Sequence, residues 1–169
     1  KVCYTGWASG AMCLIPRSTL ETIGYYPEEY FFGYEEWDYS TAILRAGLKI
    51  VYVPEFKACH KADGSYKAGH PVLNIYCGYL EKMIYAEKYI PPIMWKIWHM
   101  VFWIYMRVYW PILAREGCQC DQDYKVRLRA GYMAFEDHKH IKYVRLSHLE
   151  EAARRLGPSP TWGTDWVSE

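Results

Sequence analysis

From Ile93 to Leu113 the chain is almost continuously apolar and aromatic, and this run limits the possible folds more than any other feature of the 169 residues. Its length approaches that of a bilayer span, but Lys96, His99 and Arg107 interrupt it. On a helix advancing about 100° per residue, those three side chains fall within an arc of about 80°. They form a narrow basic stripe on an otherwise greasy cylinder. Trp95, Trp98, Phe102, Trp103, Tyr105, Tyr109 and Trp110 crowd the same segment. Such a helix can lie in the headgroup region of a membrane, with its cations toward phosphates and its rings at the acyl boundary. It can also pack against the rest of the protein with the stripe facing water. The interfacial arrangement is the expectation. An aromatic content of 18%, with 17 tyrosines and 8 tryptophans, fits either a membrane–water interface or a carbohydrate-contacting surface.

A hydrophobic fraction of 51% against 23% charged residues provides for a real core. The 20 Lys and Arg against 19 Asp and Glu remove any global electrostatic argument for a nucleic-acid partner. Charge is nonetheless polarised. Residues 1–63 carry 6 basic and 8 acidic side chains, and residues 82–145 carry 11 and 6, which suits an acidic catalytic face and a basic, membrane-facing one. The first residue is Lys1 and strand-like text follows at once, so the chain is expected to be a piece of a longer protein. Of six scattered cysteines, the four in apolar runs (Cys3, Cys13, Cys59 and Cys77) are expected in the core. So sparse a set points to a reducing compartment, hence a cytoplasmic protein or one on the cytoplasmic face of the membrane. Cys118, Cys120, His138 and His140 form an alternative zinc set whose spacing matches no common finger.

Pattern and punctuation divide the chain at 1–66, 67–115, 116–157 and 158–169. In the first part, Ala11–Ile15 reads as a buried strand between Gly10 and Pro16. A short helix follows over Thr19–Ile23, opened by the capping box Ser18-Thr-Leu-Glu21 and stopped by Gly24. Apolar residues at helical spacing predict a helix over Glu35–Ala46, ended by Gly47. Lys49–Val53 is β-branched and closed by Pro54, a second strand, and residues 58–60 are a brief third. Beyond lie helices over Val72–Tyr89, Tyr124–Phe135 and Ser147–Leu156, the last with the capping box Ser147-His-Leu-Glu150. Residues 158–169 hold turn formers and few anchors and are expected to fray.

The stretch richest in chemistry is Phe31-Phe32-Gly33-Tyr34-Glu35-Glu36-Trp37-Asp38, where an aromatic loop turns into a helix. A helix N-terminus favours acids through its free N–H groups and macrodipole, with or without catalysis. An acid so placed can also serve as a general base toward an acceptor hydroxyl, with rings stacking on the substrate. The surrounding text adds weight to the second possibility. Trp7-Ala-Ser-Gly10-Ala, then Pro16-Arg17, then Leu20-Glu-Thr-Ile-Gly24, resembles the C-terminal half of family 2 glycosyltransferases, of a rhamnosyltransferase-like kind. Phe31-Phe32…Glu35-Glu36-Trp37-Asp38 is similar to that family's FF…ED-x-D signature. Gly47–Pro54 and His60…Gly64-Ser65 are similar to its next strand and its His…Gly-x-Ser loop.

The resemblance implies an α/β fold: the acceptor-side half of a GT-A domain, followed here by amphipathic helices. It implies a nucleotide-diphosphate sugar donor, inversion at the anomeric carbon, Mg²⁺ or Mn²⁺ and a glycan or lipid-linked acceptor, in cell-surface glycan synthesis. Glu36 stands where the family keeps its base. Glu35, Trp37, Asp38, Trp7 and Gly10 would contact acceptor, and His60, Gly64 and Ser65 would approach metal or pyrophosphate. The chain departs from the family in having Ala42 for a common arginine and Leu80-Glu81 for a common Arg-Asn pair. The nucleotide pocket and its Asp-x-Asp are expected upstream of Lys1, since Asp121-Gln-Asp123 follows no donor-domain strand. The alternative is a non-catalytic, membrane-associated binding or scaffold module whose acids cap a helix.

Overall fold

The spacing of Pro and Gly through the chain leaves long uninterrupted helical stretches and little room for strands, and the architecture follows from that. The computed structural model describes residues 1–59, 71–116 and 118–157. In chain order these form β1 (Cys3–Thr5), α1 (Arg17–Ile23), α2 (Glu35–Arg45), β2 (Ile50–Tyr52), α3 (Pro71–Tyr89), α4 (Pro92–Val108), α5 (Trp110–Arg115), α6 (Asp121–Asp137) and α7 (Leu146–Leu156).

β1 and β2 pair antiparallel, with Cys3 opposite Tyr52, Tyr4 opposite Val51 and Thr5 opposite Ile50. Tyr39 and Ile43 of α2 close over Ile50, ringed by Ile15, Leu20, Ile23 and Leu48. Helix α2 and strand β2 lie where the sequence predicts them, and Gly47 ends α2 at φ +76°, a conformation only glycine adopts without strain.

Four expectations are corrected. Ala11–Ile15 is not a strand, and Leu14 is 96% exposed. A short apolar run becomes a buried strand only where neighbours supply a ladder, and among the described residues the only ladder joins β1 to β2. Helix α1 begins at Arg17, directly after Pro16, so Ser18 lies inside the first turn and cannot cap it. Glu21 instead pairs with Arg17 at 2.9 Å along one helix face. Of the cysteines expected inside, only Cys77 is buried. Cys3 sits on an uncovered ribbon, and Cys13 and Cys59 sit in exposed coil. Ala58 and Cys59 form no strand, and His60 lies outside the described residues.

Helix α3 is the axis of the rest. Val72, Tyr76, Leu80 and Met83 are fully buried on it. One side meets Val126, Ala130 and Ala134 of α6 and Leu149, Ala152 and Leu156 of α7. Another shares Met83 with Phe102 and Met106 of α4, Trp110 of α5 and Phe135 of α6. The helices of 116–157 therefore share a core with those of 67–115. Gly131 lets α5 close on α6: a Cβ there would lie 2.3 Å from Trp110 Nε1, whose N–H reaches Leu128 O at 3.2 Å. Helix α6 starts at Asp121 and runs to Asp137, longer at both ends than its apolar pattern suggests. Ser147 does not cap α7, which starts one residue earlier. Arg145 is its N-cap, and its N–H donates to His148 Nδ1 at 3.2 Å.

The apolar run is two helices, since α4 ends at Val108 and Pro111 falls in the first turn of α5. On α4 the rings of Trp95, Trp98 and Tyr105 turn partly inward against the neighbouring helices, and the face most open to solvent is aliphatic. That differs from the expected order of rings at the acyl boundary. No helix among the described residues is long and apolar enough to cross a membrane.

Candidate functional site

The acids of the aromatic loop enter α2 in its first turn, where unpaired N–H groups favour them. They then part company. Glu35 turns back to its own loop and accepts the Gly33 N–H on Oε2 at 2.6 Å, which holds Gly33 at φ +120°. Glu36 turns toward the N-terminal segment and accepts the Gly10 N–H on Oε1 at 2.5 Å. Glu36 Oε2 has no hydrogen-bond partner among the described residues, and the side chain is half-buried. A Cβ on residue 10 would lie 2.5 Å from Glu36 Oε1, so glycine is what lets the carboxylate reach this amide. Beside it Trp7 stacks on Trp37 with ring centres 5.7 Å apart, and Ala8 N–H donates to Ser40 Oγ at 3.1 Å. Three successive contacts thus lay residues 7–10 along one face of α2.

Asp38 goes the other way, into the interior, and is only 3% exposed. It accepts Tyr30 OH and Tyr89 OH at 2.6 Å each and pairs with Lys88 Nζ at 2.8 Å. Burial and this carboxylate raise both phenols above their usual range. Burial works against the Lys88 charge, but Asp38 and Glu29 outweigh it and raise its pKa. Asp38 is therefore a structural tie between α2 and α3, with no face toward a substrate.

Glu81 was not among the residues read as functional from the sequence. It lies fully buried on α3 beneath the aromatic loop, accepting Phe31 N–H at 2.6 Å and Phe32 N–H at 2.9 Å on Oε1. Its Oε2 is buried with no hydrogen-bond partner among the described residues. Burial pushes this carboxyl up to about 7, the loop amides only partly opposing it and Glu35 adding repulsion. The signal in the sequence was a lone acid on the buried face of an otherwise apolar helix.

Phe31, Phe32, Trp7 and Trp37 are each between 38% and 49% exposed, so aromatic rings surround the acids in the chain without covering them. An open groove of about 790 Å³ adjoins the loop, lined by Tyr25, Tyr26, Tyr30 and Phe31 on one side and Tyr143 and Arg145 on the other. Val144 N–H donates to Glu29 O at 2.9 Å and Tyr143 OH to Glu28 at 3.2 Å, which fixes the two walls together. Tyr26 links groove and acid: burial and a Cys13 contact raise its phenol first, and Glu36 adds to the rise.

His60, Gly64 and Ser65 lie outside the described residues. Among the described residues no three His, Cys, Asp or Glu side chains converge as a metal set would require. Glu35, Glu36 and Asp38 point to three different partners, and the described residues do not fit a Mg²⁺ or Mn²⁺ site. The alternative zinc set is not assembled either. Cys118 Sγ donates to Ala114 O at 2.9 Å, and buried His138 pairs with Glu87 at 3.0 Å.

No family model matches the chain, and no solved structure does. Over 55 residues it is 36% identical to proteins named N-acetylglucosaminyl-diphospho-decaprenol L-rhamnosyltransferase from two strains of Mycobacterium tuberculosis, CDC 1551 / Oshkosh and ATCC 25618 / H37Rv. The match takes in 32% of this chain and 18% of each relative. The chain is thus related, over about a third of its length, to a glycosyltransferase.

Proposed function

We propose that the chain is the acceptor-side part of an inverting family 2 glycosyltransferase of GT-A type, with Glu36 as its base. The observation that carries this reading is the placement of Glu36. One carboxylate oxygen is anchored on the Gly10 amide, and the other has no partner among the described residues, at a helix N-terminus beside a stacked tryptophan pair. A fixed carboxylate with an open oxygen is what a base toward a hydroxyl needs. The name of its relatives suggests a rhamnosyl donor and a diphosphate-lipid-linked sugar as acceptor.

The step balances as follows. Glu36 Oε2 takes the acceptor hydroxyl proton as that oxygen bonds to the anomeric carbon from the face opposite the diphosphate. The bond from that carbon to the diphosphate oxygen breaks, and its electron pair leaves with the nucleotide diphosphate. Exposed rings near the acids would stack on sugar faces. A divalent cation, when bound, would neutralise the departing diphosphate. Because the described residues do not assemble a site for one, no step is assigned to it.

The test offers the whole gene product a panel of nucleotide-diphosphate sugars with a polyprenyl-diphosphate-linked N-acetylglucosamine and follows the product's anomeric configuration. Transfer with inversion from one donor supports the proposal. Transfer with retention, or none from any donor, would overturn it.

A further inference from the structure

The outward face of α4 has no neighbour among the described residues. Ile93, Ile97, Met100, Val101, Ile104 and Val108 are each 45–78% exposed, and at about 100° per residue they fall in one arc of about 100°. Phe102 and Met106 occupy the opposite, buried side. Between the two lies the basic stripe of Lys96, His99 and Arg107, which borders the exposed aliphatic face directly. The guanidinium of Arg107 sits over Trp103 at 5.4 Å and over Tyr132 of α6 at 5.8 Å, carrying the stripe onto α6. There Lys125, Arg129 and Arg155, with Tyr132 and a single acid, Glu136, line a further groove.

Charge identifies the occupant. Residues 88–115 contain no Asp or Glu at all. Lys96, Arg107, Lys125 and Arg129 have no acidic partner among the described residues, whereas Lys88, Arg115, Lys142 and Arg155 are each paired. A second copy of the chain would set these cations against each other across an apolar seam. An anionic bilayer satisfies both halves at once, with acyl chains receiving the aliphatic face and phosphates meeting the cations beside it. No helix among the described residues is suited to span, and the aliphatic face runs along the side of α4, so the arrangement lies in the plane of the surface.

We infer that α4 is an in-plane membrane-docking helix, inserting Ile93, Ile97, Met100, Val101, Ile104 and Val108 while Lys96, Arg107, Lys125 and Arg129 hold anionic headgroups. The inference does not depend on the transferase reading, because vesicle binding needs no activity.

The test is flotation of the purified chain with vesicles at physiological salt. Equimolar phosphatidylcholine and phosphatidylglycerol vesicles should carry it up, and phosphatidylcholine alone should carry at least about ten-fold less. Ile97→Asp with Ile104→Asp should cut binding about ten-fold or more. Lys96→Glu with Arg107→Glu should abolish the preference for anionic lipid. All four side chains face solvent, so circular dichroism should show wild-type helix content in both variants. Failure to float, or flotation that neither pair of substitutions changes, would overturn the inference. So would a dimer that the Ile97→Asp and Ile104→Asp pair converts to monomer without any vesicle binding.

Discussion

Glu81 gives the sharpest quantitative handle on the loop that presents the acids. Its carboxyl is raised from 4.5 to about 7, burial being the largest cause. In the folded chain it therefore keeps a proton that the unfolded chain has released across that interval. Stability from this group is fully present below about pH 4.5 and is lost as pH rises through about 7. A separation of that size corresponds to about 3 kcal/mol, none of it recovered at higher pH. Glu81→Gln keeps an oxygen for the Phe31 and Phe32 N–H groups and removes the ionisation. The perturbation is measured by urea unfolding of both proteins at a series of pH values from 5 to 8. Because every other titrating group is shared, the difference between them isolates this residue. The facing groups that bear on it are Glu35 of α2, Tyr34 of the loop and Cys77 on its own helix. The Glu81→Gln protein should gain on the wild type as pH rises, approaching about 3 kcal/mol by pH 8. A difference that stays flat, or favours the wild type at high pH, would refute the reasoning.

The same physics runs in the opposite sense at His138, which burial and then Lys142 push down to about 4. The unfolded chain binds that proton first, so stability should fall as pH drops from about 6.5 to about 4. His138→Gln should flatten that part of the unfolding profile. Gly131→Ala drives a methyl into the Trp110 indole and should cost about 1–3 kcal/mol in urea unfolding, with Trp110 emission shifting as its N–H loses Leu128. Asp38→Ala leaves Lys88 with Glu29 alone and removes the acceptor of the buried Tyr30 and half-buried Tyr89 phenols, which should cost about 1–3 kcal/mol, read as a lowered urea midpoint.

What the sequence made legible was local. Helices α2, α3, α6 and α7 declare themselves through apolar spacing and through Gly47, Pro91 and Gly157, because period and punctuation act within a few residues. The acids were likewise legible as a group at a helix start. Their separate fates were not. Glu36 finds an amide 26 positions upstream, and Asp38 finds a tyrosine 51 positions downstream. No neighbour in the chain distinguishes a carboxylate left with an open oxygen from one that will be buried. Glu81 was hidden for the same reason, its partners lying 50 and 49 residues away. The apolar stretch Ala11–Ile15 misled because its composition is that of a strand, whereas a strand also needs a ladder partner that only tertiary structure supplies. On α4 the pattern gave the basic stripe correctly, but only packing decided that the rings turn inward and the aliphatic face outward.

Glu36, held by the Gly10 amide, is proposed to accept the proton of the attacking hydroxyl. The most direct measurement is transfer by the whole gene product carrying Glu36→Gln, with acceptor binding measured on the same preparation. With Glu36→Gln, kcat should fall about 10²–10⁴-fold, with acceptor affinity and helix content essentially unchanged. Transfer within a few-fold of wild type would contradict it and return Glu36 to the role of an acid favoured by a helix N-terminus.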